Sequence, residues 1–198
     1  MKNTNSKKGI SLIEMIIVMA IIGMIFAVGT NTYSNQRQIV QFNDSLTKVV
    51  SLFQTARVYA STSRSVMIGG ELEVPSEGYG VYINKTNNEF ILFANTSITG
   101  NNIDKYDASD IEEETYVLPS VTEFEEFLED NKAAIFGDPQ EIVIIFRPPL
   151  ADAEIANNTT PTQTIETLYL QFLRNGAPED AKKYIKFNKT AGFPEVEL

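Results

Sequence analysis

A nearly uninterrupted apolar run occupies residues 10–28 of this 198-residue chain. Glu14 is the one charged side chain among those 19 residues. A helix of that length, at about 1.5 Å per residue, measures roughly 28 Å, which is close to the thickness of the hydrocarbon core of a bilayer. The run therefore predicts a helix of membrane-spanning length.

Glu14 is an unusual residue in such a run. On insertion scales a carboxylate costs about 2.5 to 3.5 kcal/mol at the bilayer centre, and less near an end of the helix, so a partner for Glu14 is expected. Lys7, Lys8 and Gly9 come directly before the run, and the small-residue cleavage site of a secretory signal does not follow it. Any cleavage is therefore expected to precede the run.

The lysine pair, the glycine and the apolar run with its early glutamate resemble the class III leader of type IV prepilins and type II secretion pseudopilins. In that family a prepilin peptidase cleaves after the glycine, methylates the new N-terminus and leaves the apolar helix on the mature protein. The resemblance implies cleavage between Gly9 and Ile10, N-methylation of Ile10 and a role for Glu14 in assembly. Gly23 also matches the family pattern. Ile10 in place of the usual phenylalanine, and Asn31 where many pilins have proline, favour a minor component.

A physical reason for a glutamate at position 14 does not depend on the resemblance. If such helices pack side by side in a filament, the amine of Ile10 and the carboxylate of Glu14 from a neighbour are buried at the same depth. Pairing them offsets the desolvation that either charge would suffer alone. The alternative is that Glu14 extends to the lipid headgroups from a plain anchor.

Helical periodicity continues past the apolar run. Apolar residues recur at intervals of three or four, as in Ile39, Phe42, Leu46, Val49, Phe53, Ala56 and Ala60. The first proline is Pro75, so nothing prevents one helix from Ile10 to about Arg64. We predict a leader at residues 1–9, a transmembrane or filament-core helix at 10–28 and an amphipathic continuation at 29–64.

Residues 65–198 are predicted to form a β-rich head. β-type runs occur at residues 65–68, 79–83, 90–93, 141–146, 166–173 and 183–188, with a short one at 192–198. The predicted fold class is α+β, in which the long N-terminal helix, transmembrane in its first half, packs on an antiparallel sheet as in pilins. Residues 95–114 are interpreted as a polar, acidic loop. Residues 122–125 have the capping-box spacing, which a short helix or an irregular segment could both satisfy.

The C-terminal half has a second, weaker resemblance. Phe146, Pro148 and Pro149, followed by a strand and by residues 185–192, are similar to the end of minor pseudopilins of the H type and minor pilins of the FimT type. The resemblance implies an antiparallel sheet packed on the long helix.

Composition excludes several kinds of site. The chain has neither histidine nor cysteine, which removes imidazole bases, imidazole metal ligands and thiol nucleophiles. No catalytic residue, cofactor-binding motif or metal site is predicted, because the acidic residues of 104–114 lack the ligand alternation and glycine of an EF-hand. An anchored enzyme is accordingly a weak alternative.

The net charge also limits the partners. It is −10, and loss of Lys2, Lys7 and Lys8 with the leader leaves 13 basic and 26 acidic side chains, or −13. Such a surface repels nucleic acid, so nucleic acid is an unlikely partner. A DNA-capturing minor pilin remains an alternative, and its basic patch would be Lys182, Lys183, Lys186 and Lys189.

The three leader lysines predict the orientation, since positive charge stays on the cytoplasmic side of a membrane. The expected protein is a structural subunit of a type IV pilus or a type II secretion pseudopilus, held before assembly as a single-pass protein of the cytoplasmic (inner) membrane with its head outside. The resemblance implies four partners: prepilin peptidase, other pilin or pseudopilin subunits, the inner-membrane assembly platform and membrane lipid. A plain membrane-anchored extracytoplasmic domain is the remaining alternative.

Overall fold

The computed structural model describes residues 11–96, 105–129, 132–135, 139–158, 165–178, 181–190 and 194–197. Two compact units divide the chain, Met1–Val40 and Gln41–Leu198. Helix α1, Leu12–Ser61, contributes residues to both units. Gly9 and Ile10, between which cleavage is predicted, lie outside the described residues.

The ends of α1 have identifiable hydrogen bonds. The carbonyl of Ser11 accepts the amides of Glu14 at 3.0 Å and Met15 at 3.2 Å, which closes the first turn. At the other end, Ser63 adopts the left-handed conformation with φ 47° and Arg64 donates its amide to the carbonyl of Tyr59 at 3.0 Å. This geometry ends a helix, a few residues before the predicted end near Arg64. Among the helical residues that the structure describes, no stretch has the length and hydropathy of a membrane-crossing helix.

All the strands that follow pair in antiparallel fashion. In chain order they are β1 Val66–Ile68, β2 Glu71–Glu73, β3 Tyr79–Asn84, β4 Glu89–Ala94, β5 Ile111–Val117, β6 Thr122–Glu129, β7 Ala133–Ala134, β8 Glu141–Arg147, β9 Asp152–Asn157, β10 Thr167–Arg174, β11 Lys183–Asn188 and β12 Pro194–Glu197. β1 and β2 form a hairpin. The other strands form two sheets, which we name by their central strands: the β3 sheet, in the order β5-β4-β3-β8-β9, and the β10 sheet, in the order β12-β11-β10-β6-β7.

The main core is built from one stripe of α1 and from both large sheets. Six of the seven stripe residues predicted from the periodicity are buried, namely Phe42, Leu46, Val49, Phe53, Ala56 and Ala60. The ring of Phe53 lies 5.8 Å from that of Phe187 in β11, which in turn lies 5.8 Å from Phe146 in β8. Ile39, the seventh, belongs to the first unit and is 42% exposed. The α+β prediction of a helix packed on antiparallel sheet is confirmed.

Two segment predictions are wrong. Residues 111–114, interpreted as part of an acidic loop, are the first half of β5. Two of its glutamates pair with cations at or after α1, Glu114 with Lys48 at 2.5 Å and Glu113 with Arg64 at 2.9 Å, so the strand's charge is partly neutralised. Thr122, predicted to begin a short helix or an irregular segment, instead begins strand β6, whose pairing with β10 provides its backbone hydrogen bonds.

Candidate functional site

Glu14 is the predicted site residue that the structure describes. It lies in the first turn of α1, where a negative charge interacts favourably with the amide groups exposed at a helix N-terminus. A shallow depression on one side of the helix is lined by Glu14, Met15, Val18, Met19 and Ile22. These positions recur along one helical face, so the carboxylate belongs to a surface that is otherwise apolar.

The apolar segment is exposed on every side. Leu12, Met24 and Val18 are 79%, 70% and 50% exposed, and they lie about 120° apart around the helix. Side chains on the remaining faces, such as Ile17 and Ile21, are also about half exposed, at 54% and 52%. A helix that is apolar all round is normally covered by other protein or by lipid. The described part of this chain does not supply that cover.

The second unit has a polar cluster where α1 ends. The hydroxyl of Tyr79 donates to the carbonyl of Arg64 at 2.8 Å, and the rings of Tyr59 and Tyr79 meet edge to face with centroids 5.3 Å apart. The guanidinium of Arg64 lies 4.0 Å from the centre of the Tyr59 ring and also pairs with Glu113. These contacts fix the end of α1 to β3 and β5.

Burial raises the pKa of Tyr79 to about 12, and the nearby Glu113 carboxylate adds to the shift while Arg64 opposes it. On the other face of the β3 sheet, burial likewise raises the pKa of Tyr82 to about 12, with a contribution from its hydrogen bond to Glu141. The folded protein therefore favours the neutral form of both phenols.

This preference predicts loss of stability at alkaline pH. In the unfolded chain a tyrosine ionises near pH 10, so the contribution of Tyr79 is complete below that value and is lost as the pH rises towards 12. We expect the free energy of unfolding to fall by about 1 to 2 kcal/mol between roughly pH 9 and pH 11 on account of Tyr79. Urea unfolding of the detergent-solubilised chain at both pH values measures the change.

A Tyr79→Phe variant should show a smaller fall over the same range, because it has no phenol to ionise. Tyr33→Phe, at a side chain that is 72% exposed, is the matched control and should behave as wild type. Lysine titration is common to all three proteins and cancels in the comparison. Equal falls in wild type and Tyr79→Phe would contradict the assignment.

The acidic segment after residue 104 is built into the fold. Tyr106 places its ring 4.6 Å from that of Tyr82 and 5.0 Å from that of Phe93, and so covers an apolar patch on the outer face of the β3 sheet. The Asp110 carboxylate accepts the amides of Thr96 and Asp107, both at 3.0 Å. Burial raises the pKa of Asp110, although these two hydrogen bonds favour its charged form. Within the described ranges, no three histidine, cysteine or carboxylate side chains are grouped as metal ligands.

The four lysines of the predicted basic patch all have intramolecular contacts. Lys182 pairs with Glu125 at 2.9 Å, and Lys189 lies 4.0 Å from Glu166. Lys183 donates to the side-chain oxygen of Asn43 at 3.1 Å, and the ammonium of Lys186 lies 5.8 Å from the centre of the Tyr169 ring. Carboxylates therefore offset two of the four positive charges, which weakens the basis for polyanion binding.

Comparison with known proteins gives one match. Residues 4–30 match the prokaryotic N-terminal methylation motif, a stretch that includes Gly9, Ile10 and Glu14. No curated protein and no solved structure matches the chain. The motif supports a type IV pilin-like or pseudopilin subunit, which implies processing by a prepilin peptidase and assembly with other pilin subunits. It also suggests that the protein is anchored in a membrane.

Proposed function

We propose that this protein is a structural subunit, of the minor pilin or pseudopilin kind, in a type IV pilus or a type II secretion pseudopilus. In this proposal a prepilin peptidase cleaves after Gly9 and methylates the amine of Ile10. The chain is then held in the cytoplasmic membrane, with its head outside, until the assembly platform adds it to the filament.

The observation that carries the proposal is the exposed apolar helix, joined to the methylation motif. A helix that exposes apolar side chains on every face needs a different cover before and after assembly. Lipid provides the first and neighbouring subunits provide the second. The exchange is nearly neutral in hydrophobic free energy, since lipid tails are as apolar as leucine.

Because the exchange of lipid for neighbouring subunits is nearly neutral in free energy, specific contacts must determine the position of a subunit in the filament. The pair formed by the Ile10 amine and Glu14 of a neighbour is such a contact, since each charge is poorly solvated without the other. Orientation in the membrane follows from Lys2, Lys7 and Lys8 ahead of the apolar run.

Two features of the head support the subtype with similarity to H-type pseudopilins and FimT-type minor pilins. The first is the α+β core, in which two antiparallel sheets share the stripe of α1. The second is the end of β8, where Phe146 is followed by Arg147 and the Pro148-Pro149 turn. Strand β11 provides the Ile-Lys-Phe-Asn sequence of the resemblance.

The test is intact-mass analysis of the membrane-extracted chain after co-expression with a prepilin peptidase. Wild type should begin at Ile10 and carry one additional methyl group. Gly9→Leu should remain uncut, because the residue before the cleaved bond is then branched and bulky. Gly23→Leu, the same substitution inside the helix, is the matched control and should be cut normally. An uncut wild-type chain would leave a plain anchored domain as the explanation.

A further inference from the structure

The outer face of the β3 sheet has an apolar cluster of its own, separate from the main core. Its members lie on three neighbouring strands, none is more than 6% exposed, and they are Tyr82, Ile91, Phe93, Val143 and Ile145. An antiparallel sheet commonly leaves the face away from its core to water, so burial on this face requires a cover. Tyr106 packs against the cluster, with its ring centroid 4.6 Å from that of Tyr82 and 5.0 Å from that of Phe93.

Tyr106 belongs to a short irregular segment, residues 105–110, which we call the strap. The amide of Tyr106 donates to the side-chain oxygen of Asn158, directly after β9, at 2.9 Å. Its hydroxyl donates to the carboxylate of Glu112 in β5. β5 and β9 are the two edge strands of the β3 sheet, so Tyr106 is fastened from both sides of the cluster that it covers.

The hydrogen bonds of the strap differ from those of the strands beneath it. Apart from the bond of Tyr106 to Asn158, they close the strap on itself: Asp107 donates its amide to the carboxylate of Asp110 at 3.0 Å, and Ser109 to that of Asp107 at 2.7 Å. The amide of Asp110 donates to the carbonyl of Asp107 at 3.1 Å. Strand β3, in contrast, is paired with β4 on one side and with β8 on the other. The strap can therefore leave the sheet without breaking a strand ladder.

The two ends of the strap are held differently. At one end, Asp110 comes directly before β5, and its carboxylate accepts the amide of Thr96 at 3.0 Å. The hydroxyl of Thr96 also donates to the carbonyl of Ser109 at 2.7 Å, so this end is fixed to the chain that leaves β4. The other end is held by the contacts of Tyr106 alone among those described above. Segments with few buried apolar contacts and no ladder bonds open at the lowest free energy.

We propose that the strap is a lid that opens over the outer face of the β3 sheet while the rest of the head stays folded. Asp110 is the hinge, and Tyr106 is the latch that leaves the apolar cluster and the side chains of Asn158 and Glu112. The head presents the cluster to its surroundings only when the strap is open. This device is independent of the proposed function, because it requires neither cleavage nor assembly.

The absence of cysteine from the sequence allows a site-specific test. Val143→Cys places one thiol in the cluster on the outer face, and Val81→Cys, the matched control, places one in the main core. Both valines are fully buried, and they lie on the adjacent strands β8 and β3. The full chain is treated with a maleimide in detergent micelles, and the rate of labelling is followed by intact-mass analysis over a series of low urea concentrations.

We expect Val143→Cys to be labelled at least about tenfold faster than Val81→Cys, because opening of the strap is more frequent than global unfolding. The rate at Val143→Cys should barely change in low urea, since local opening exposes little surface, whereas the rate at Val81→Cys should rise. Adding Tyr106→Ala to Val143→Cys should raise its rate by a further factor of at least about ten, because the latch is lost. Tyr106→Phe keeps the ring and should have a smaller effect, and circular dichroism checks that each variant is folded.

Three results would each overturn the proposal. The first is equal labelling of Val143→Cys and Val81→Cys, which would mean that the outer face opens only when the whole head unfolds. The second is a rate at Val143→Cys that rises with urea as steeply as the rate at Val81→Cys. The third is a rate at Val143→Cys that Tyr106→Ala leaves unchanged, which would mean that the strap does not control access to the cluster. If Tyr106→Ala does not fold, Asn158→Ala removes one bond of the latch and should also raise the rate.

Discussion

A chain in which Glu14 is replaced by alanine is expected to be cleaved and methylated like wild type and then to be missing from sheared filaments. Glu14 lies several residues beyond the cleaved bond, so the peptidase step should not need its charge. In the proposed filament the amine of Ile10 is buried against neighbouring helices, so assembly should need the charge of Glu14. The substitution leaves that amine without its carboxylate.

The expected size of the effect follows from the cost of an unpaired buried charge. Removing one member of a buried ion pair costs about 3 to 5 kcal/mol. A loss of that size corresponds to a decrease of more than about a hundredfold in the equilibrium constant for adding a subunit. The measurement is the ratio of this chain in the sheared filament fraction to that in the membrane fraction, by quantitative immunoblot.

Two further variants separate charge from packing. Glu14→Gln keeps the shape of the side chain and one acceptor oxygen, but it replaces the other oxygen with an amide NH2 and removes the charge, so it should fail as Glu14→Ala does. Met19→Leu changes an apolar side chain of similar volume on the same helical face and should assemble normally. Normal incorporation of Glu14→Gln would show that the ion pair is not what places the subunit.

The spacing of apolar residues predicts those parts of the fold that depend on residues close together in the sequence. The buried stripe of α1 can be predicted because each of its residues lies three or four positions from the next. Strand β8 can be predicted because five consecutive apolar residues indicate a strand that is buried on both faces. All five are buried in the structure. The predicted runs around β3, β4, β10 and β11 agree with the observed strands for similar reasons.

Strand β6 shows why the sequence pattern predicts the wrong secondary structure in other segments. Phe124, Phe127 and Leu128 have the spacing of a helical face, yet they lie in a strand. The pairing with β10 shifts by one residue, since Gln171 pairs with Glu126 and Phe172 with Phe124, so Glu125 is an additional residue in β6. This bulge places Phe124 and Phe127 together, with ring centroids 4.8 Å apart. A bulge that depends on a distant strand leaves no local signal.

β5 and β9 were missed for a different reason. β5 contains three consecutive glutamates, and two of them pair with Lys48 and Arg64, which are far away in sequence. β9 is rich in small residues, and its buried Ala153 and Ala156 give little hydrophobic signal. The contacts that stabilise these strands are the ion pairs of β5 and the pairing of β9 with β8. Neither is visible in the local sequence.

The candidate sites also differ in whether a short stretch of sequence is enough to predict them. Gly9, Ile10 and Glu14 form a short continuous motif, so their expected roles follow from the sequence, and those roles stay predictions. The exposed apolar pair on the first hairpin could not be predicted, because Met67 and Leu72 become neighbours only through the pairing of β1 with β2.

Replacement of Phe53 by alanine is expected to lower the free energy of unfolding of the head by about 3 to 5 kcal/mol. Phe53 is fully buried in the stripe of α1, and its ring packs 5.8 Å from that of Phe187. Phe187 also contacts Phe146, so the cavity would open where the helix meets both the β10 sheet and the β3 sheet. A phenyl-sized gap between three elements cannot close by the movement of one side chain.

Urea unfolding of the full chain in detergent micelles, followed by near-ultraviolet circular dichroism, measures the loss. Gln54→Ala is the matched control, because it removes an exposed side chain from the next position of the same helix and should change stability by less than about 0.5 kcal/mol. Phe53→Leu should lie between the two, since leucine fills part of the cavity. A loss below about 1 kcal/mol for Phe53→Ala would mean that α1 contributes little to the core of the head, and that the two sheets fold without it.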